Sequence, residues 1–167
     1  MIVKETEKME DIAVRGVTCN KSEAKITICS VPDKPGIAAK IFGEISKQGI
    51  NVDTIVQNVP HDKLSDISFT VPKADINKAM KATAEVGLKI GAGEIFEDKN
   101  IARVSLVGSG MRSHHGIAAK MFKTLADNAI NIEMISTSEI RVSCIIQQDL
   151  ADRAVESLHK AFKLDQI

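Results

Sequence analysis

Two hydrophobic periodicities alternate along the chain and divide it into strands and helices. Ala24, Ile26 and Ile28 occupy every second position, which is the spacing of a half-buried strand. Apolar residues then recur at helical spacing from Ile37 to Ile45, and Gly49 follows as a stop signal. The same pattern predicts strands over 52–58 and 67–71, a helix over 76–86 closed by Gly87, and a last strand over 88–97. The order β-α-β-β-α-β is typical of a ferredoxin-like α+β module with an antiparallel sheet.

The chain then repeats this pattern. The stretch "PGIAAKIFGEISKQGINVDTI" at 35–55 returns as "HGIAAKMFKTLADNAINIEMI" at 115–135, with nine of 21 aligned positions identical. A period of about 80 residues is too long for a solenoid unit and suits a small domain. The second copy predicts a strand over 102–106, a helix over 117–125, strands over 132–136 and 140–146, and a helix over 150–162. We therefore predict two copies of one module.

The second copy has no room for a fourth strand, whereas an extra apolar run, "IAVRGV" at 12–17, precedes the first copy. We predict that this run completes the sheet of the second copy, so that one module is inserted into the other. The predicted domains are residues 20–97 for the first module and residues 11–19 with 98–167 for the second. Residues 1–10 form a polar tail.

Composition removes several classes of function. The formal net charge is zero and there is no Trp or Tyr, so neither a nucleic-acid surface nor a base-stacking platform is expected, and no charge attracts the chain to an anionic membrane. No run approaches the ~18 apolar residues of a membrane helix. Three cysteines without metal-ligand spacing, and no secretion signal, point to a reducing cytoplasm.

Each copy passes from a strand through a turn into a helix that starts with Gly-Ile-Ala-Ala. A helix start presents unpaired N–H groups that hold a carboxylate, and Asp33, just before Gly36, could accept an ammonium group. Asn51 and Asp53 in one copy match Asn131 and Glu133 in the other. This combination suits an α-amino acid. Alternatively, the turn and both asparagines only shape the backbone, and Asp33 only caps it.

Other constellations are weaker. "GSG" at 108–110 lacks the third glycine of a dinucleotide loop, and His114 and His115 have no further ligands at metal spacing. No catalytic triad stands out. A small enzyme with one of these histidines as acid–base residue is therefore a minor alternative, and we predict no catalytic residue and no metal site.

Several segments resemble the regulatory region of aspartate kinase, a tandem pair of ACT domains. They are the doubled "GIAAK", the "DKPG" turn, "VQNV", "VSLVGSGMRSHHGIAAKMF" and "NIEMISTSEIRVSCII". The resemblance covers about residues 12–162. It implies either the small regulatory subunit of a two-subunit enzyme or a trimmed regulatory part.

The resemblance implies allosteric feedback inhibition by threonine and/or lysine in aspartate-family amino-acid biosynthesis. It implies a homodimer through the ACT domains and a kinase catalytic domain or subunit as partner. ATP and Mg belong to that kinase part, which forms aspartyl phosphate, so no cofactor is expected in this chain. The alternative is a free-standing ACT amino-acid sensor that acts on another partner.

By position, the resemblance also implies effector contacts in both modules. Those of the first module are Asp33, Gly36, Ile37, Ala38, Asn51, Val52 and Gln57. Those of the second are Met111, His114, Ile117, Asn131, Ile132, Ser136 and Thr137. The copies differ because Asp33 aligns with Ser113 and Pro35 with His115. The second module is therefore not expected to bind an identical ligand in the same way.

Overall fold

A computed structural model describes residues 13–111 and 114–166 and shows two compact units. Ser22–Lys99 forms one unit, and the described residues up to Lys21 form the other together with those from Asn100 onward. Each unit holds a four-stranded antiparallel sheet. The α+β fold class with two modules, one inserted into the other, is confirmed.

The inserted unit, Ser22–Lys99, has the element order predicted for the first copy. Its elements are β2 (Glu23–Pro32), α1 (Ile37–Lys47), β3 (Ile55–Gln57), β4 (Leu64–Pro72), α2 (Ile76–Ile90) and β5 (Ile95–Asp98). The strand order is β3-β4-β2-β5. The alternating apolar residues of β2 and β4 are buried with Ile37, Ile41 and Ile45 of α1. This core places the β2–α1 turn at one end of the sheet.

The outer unit uses the leading strand to complete its sheet. Its elements are β1 (Val14–Asn20), β6 (Ile101–Gly108), α3 (Ile117–Asp127), β7 (Met134–Thr137), β8 (Arg141–Gln147) and α4 (Ala151–Ala161). The strand order is β1-β6-β8-β7. Strand β1 pairs with β6 in antiparallel register, with Val17 opposite Leu106. This confirms the prediction that the leading strand completes the sheet of the second module. Ile12 of the predicted segment lies outside the described residues.

Several element boundaries differ from the sequence prediction, including β7, which was predicted over 132–136 and spans Met134–Thr137. The second helix of the first copy does not end at Gly87: α2 continues to Ile90 and ends at Gly91, whose φ of 72° is the left-handed form that glycine favours. Gly87 is buried inside the helix, and a Cβ there would approach Ile95 Cδ1 to 3.1 Å. Gly87 therefore permits close helix–strand packing, and the predicted strand over 88–97 shrinks to Ile95–Asp98.

The strand predicted over 52–58 is also shorter, at Ile55–Gln57. Before it the chain is still tied to β4, because Asp53 N–H donates to Thr70 O at 3.1 Å and Thr70 N–H donates to Thr54 O at 3.0 Å. Apolar alternation marks this segment as extended, but it does not show where ladder pairing starts.

Candidate functional site

An open cleft of about 410 Å³ lies where β2 turns into α1. Its walls combine apolar side chains, charged side chains and the first turn of the helix. The lining residues are Pro32, Asp33, Lys34, Pro35, Gly36, Ile37, Ala38, Gln57 and Ile67. The cleft therefore offers groups of both charges within a space that suits a small metabolite.

The turn that shapes the cleft is held by bonds to β4 and its flank. The β2–β4 register shifts between Ile28 and Val31, and within this bulge Ser30 adopts a φ of 53°. Asp66 supports the bulge, since its Oδ1 accepts a hydrogen bond from Ser30 N–H at 2.9 Å. Asp33 N–H donates to Lys63 O at 2.9 Å. The cleft rim is thus fixed by the sheet behind it.

The helix start at the cleft floor is uncapped. Gly36 precedes α1 with a φ of 89°, and no side chain caps the helix or places an acid in its first turn. The first intrahelical bond runs from Lys40 N–H to Gly36 O at 3.0 Å. The amides of Ala38 and Ala39 precede that bond, so their N–H groups can donate to an anionic ligand group, which the positive end of the helix dipole also attracts.

The polar side chains that line the cleft are Asp33, Lys34 and Gln57. Asp33 is exposed, and no other described residue pairs with its carboxylate. Gln57 is anchored, because its Nε2 donates to Ser65 Oγ at 3.0 Å. One bond uses only part of the capacity of an amide, which has two donor hydrogens and an acceptor oxygen.

The second copy repeats the helix start with different surroundings. Gly116 precedes α3 with a φ of 91°, and Lys120 N–H donates to Gly116 O at 2.8 Å. The loop before it is bound to the β7–β8 turn through Met111 N–H to Glu139 O at 2.8 Å. His114 Nδ1 lies 2.7 Å from Gly110 O, and a hydrogen bond there requires the proton on Nδ1.

Comparison with known proteins agrees with this architecture. The ACT domain family matches residues 25–87 and again residues 104–162. The chain is 50% identical over 161 residues to an aspartate kinase of Stutzerimonas stutzeri, covering 96% of this chain and 39% of that protein. It superposes on the regulatory subunit of aspartate kinase from Thermus thermophilus with a TM-score of 0.86 and 42% identity, covering 90% of this chain and 99% of that subunit.

A structure of aspartokinase alpha and beta subunits matches at 47% identity with a TM-score of 0.85, covering 91% of this chain and 100% of the matched chain. This chain belongs to the tandem-ACT regulatory family of aspartate kinases. It spans about 39% of the length of the aspartate kinase that it matches in Stutzerimonas stutzeri.

In the first ACT domain the structure brings together five of the seven expected effector contacts: Asp33, Gly36, Ile37, Ala38 and Gln57. The other two, Asn51 and Val52, do not line the cleft. Asn51 is exposed after α1, and Val52 packs against the hydrophobic core. The cleft is also lined by Pro32, Lys34 and Ile67, which the sequence did not indicate as site residues. Ile67 shows only the alternation of a core strand.

In the second ACT domain the expected contacts are distributed differently. Met111 and Ile117 are buried in the hydrophobic core, with 4% and 2% of their surface exposed, and Ile132 packs against the same core. Asn131 is exposed after α3, and His114 is partly exposed. Ser136 and Thr137 are exposed on β7, an outer strand of the sheet.

Outside the cleft, the buried cysteine Cys144 is no reactive group, and the described His, Cys, Asp and Glu side chains form no metal-binding group. Burial raises the pKa of the Cys144 thiol to about 12, so this thiol stays protonated and is no nucleophile near neutral pH. Within residues 13–111 and 114–166, no three His, Cys, Asp or Glu side chains are grouped as metal ligands. No helix in the described part of the chain has the length and apolarity to span a membrane.

Proposed function

We propose that this chain is the amino-acid-binding regulatory part of an aspartate kinase and that threonine, lysine or both bind the cleft as feedback inhibitors. The observation that carries this proposal is the juxtaposition of an uncapped helix start with Asp33 and Gln57. One short cleft then holds partners for each part of an α-amino acid.

The bound amino acid is arranged by charge. Its carboxylate accepts hydrogen bonds from the amides of Ala38 and Ala39 at the start of α1, and its ammonium group lies against Asp33. The apolar walls formed by Ile37 and Ile67 contact the carbon atoms of the ligand side chain, and the Gln57 amide reaches its polar end. Threonine is the leading ligand and lysine the second.

A second copy of the chain closes the cleft. The edge strand β3 carries Gln57 and also Ile55, which is 52% exposed. The equivalent position in the second ACT domain is Ile135 on edge strand β7, which is 44% exposed. Apolar side chains on unpaired sheet edges favour association of strands from two chains, and a homodimer formed there covers the open side of the cleft.

The effector acts on a kinase catalytic domain or subunit that binds ATP and Mg and phosphorylates aspartate, in the cytoplasm. A ligand shifts an active–inactive equilibrium only if its affinity differs between the two states. A coupling free energy of ~1–3 kcal/mol corresponds to roughly 5- to 150-fold changes in effector affinity. By itself the chain binds effector and catalyses nothing.

The test is to assay aspartyl phosphate formation by the kinase that contains or binds this chain, with and without threonine and lysine. We expect inhibition by at least one of them. The inhibition disappears when Gly36→Val blocks the turn, with Gly49→Val as a control for a left-handed glycine outside the cleft. A kinase insensitive to both amino acids, or failure of the chain to capture a catalytic subunit, contradicts the proposal and favours a free-standing sensor.

A further inference from the structure

Strand β4 carries a buried hydroxyl in an otherwise apolar stripe. Ser65 is 4% exposed and lies on the same side of the strand as the core residues Ile67, Phe69 and Val71. A hydroxyl buried among apolar side chains costs free energy unless it is hydrogen-bonded. The position therefore calls for a specific partner.

The partner is the amide that lines the cleft. Gln57 Nε2 donates to Ser65 Oγ at 3.0 Å. In the ladder between β3 and β4, Gln57 is opposite Ile67, so Ser65 is its diagonal neighbour two residues along β4. Gln57 and Ile67 line the cleft, whereas the buried Ser65 does not. Ser65 thus holds the Gln57 side chain from outside the ligand space.

The second ACT domain lacks this pair. Its register places Ile135 opposite Cys144, as Ile55 is opposite Phe69 in the first domain. By that correspondence Thr137 stands at the position of Gln57, and Ile140 at that of Ser65. The amide and its buried hydroxyl are therefore present together in one domain and absent together in the other.

We infer that Ser65 is a positioning residue that sets the ligand selectivity of the first cleft, an inference that rests on the proposed function. With its Nε2 engaged by Ser65, the Gln57 amide keeps one N–H and its oxygen for the polar end of the ligand side chain. A site built to hydrogen-bond a polar group rejects the analogue that lacks this group. The cleft accordingly prefers threonine to valine, and lysine to norleucine.

The experiment is calorimetric titration of the full chain with threonine, valine, lysine and norleucine. In Ser65→Ala, we expect the affinity for the polar ligand to fall about tenfold while the affinity for its apolar counterpart is unchanged. In a Gln57→Ala background, Ser65→Ala has no further effect. A merely structural role would weaken both ligands of a pair equally.

Two further variants control for stability. Ser65→Thr keeps the hydroxyl and retains the preference, which also covers the case in which Ser65→Ala does not fold. Ser143→Ala removes another buried strand hydroxyl, bonded to Ser105 Oγ at 2.7 Å, and leaves the preference intact. Unchanged selectivity in Ser65→Ala, or additive effects with Gln57→Ala, overturns this inference alone. A wild-type chain that binds none of the four ligands overturns the proposed function and this inference together.

Discussion

Asp33 is the acidic side chain that lines the cleft of the first ACT domain. Its backbone N–H is bonded to Lys63 O, so the turn is held while the carboxylate stays exposed. At the equivalent position the second domain has Ser113, which lies outside the described residues. If the cleft binds a zwitterion, this carboxylate is the group that distinguishes an amino acid from a simple carboxylic acid.

Replacing Asp33 by Asn therefore weakens amino-acid binding by ~1–3 kcal/mol, because a charge-assisted hydrogen bond to the ligand ammonium is lost. Titration calorimetry measures the change. Asp62→Asn is the matched control, since Asp62 is exposed in the loop before β4 and lies outside the cleft. Wild-type affinity in Asp33→Asn would show that Asp33 only shapes the turn.

Cys144 gives a pH-dependent test of the core of the second domain. Burial raises the pKa of its thiol to about 12, whereas an unfolded cysteine ionises near ~8.5. Above the unfolded pKa the unfolded chain loses this proton and the folded chain keeps it, so the contribution to stability falls as pH rises, by up to ~1.4 kcal/mol per pH unit. We expect denaturant unfolding between about pH 9 and 11 to show a steeper loss of stability than in Cys144→Ala. Equal slopes of stability against pH in the two proteins would mean that the Cys144 thiol is not shielded from solvent in the folded chain.

Strand β1 is the N-terminal segment of the second ACT domain, and the rest of that domain follows the inserted first domain. It pairs with β6, and Ser109 N–H donates to Ala13 O at 3.2 Å where the β1 register shifts. Gly108 permits this approach, because a Cβ there would lie on the Ala13 carbonyl oxygen. The close pairing of β1 with the end of β6 therefore requires a residue without a side chain at position 108.

Gly108→Ala should destabilise the chain by about 1–3 kcal/mol, because the backbone of β1 must move away. Urea unfolding measures the loss. Gly43→Ala is the control: Gly43 lies within α1 with open space around its Cα, so alanine should stabilise by ~0.5–1 kcal/mol. Equal stability of Gly108→Ala and the wild type would contradict the described contact between β1 and β6.

Across the whole molecule, the duplicated pattern predicted the architecture because helix and strand periods are local properties of the sequence. The place of β1 in the sheet of the second domain was predictable by counting the strands of each copy. The end of α2 was predicted wrongly, because a glycine at position 87 is typical of a helix end. Only the packing of Ile95 against Gly87 shows that this glycine lies inside the helix. The residues of the β2–α1 turn were predictable from one contiguous motif. Ser65 was not, because its role depends on the register between β3 and β4.

We propose that the first ACT domain binds a zwitterionic amino acid at the start of α1. The most direct measurement is titration calorimetry of the wild-type chain with threonine and with lysine. We expect saturable heat with at least one of them, reduced in Asp33→Asn and kept in Asp62→Asn. Absence of heat from both amino acids at millimolar concentration would contradict it.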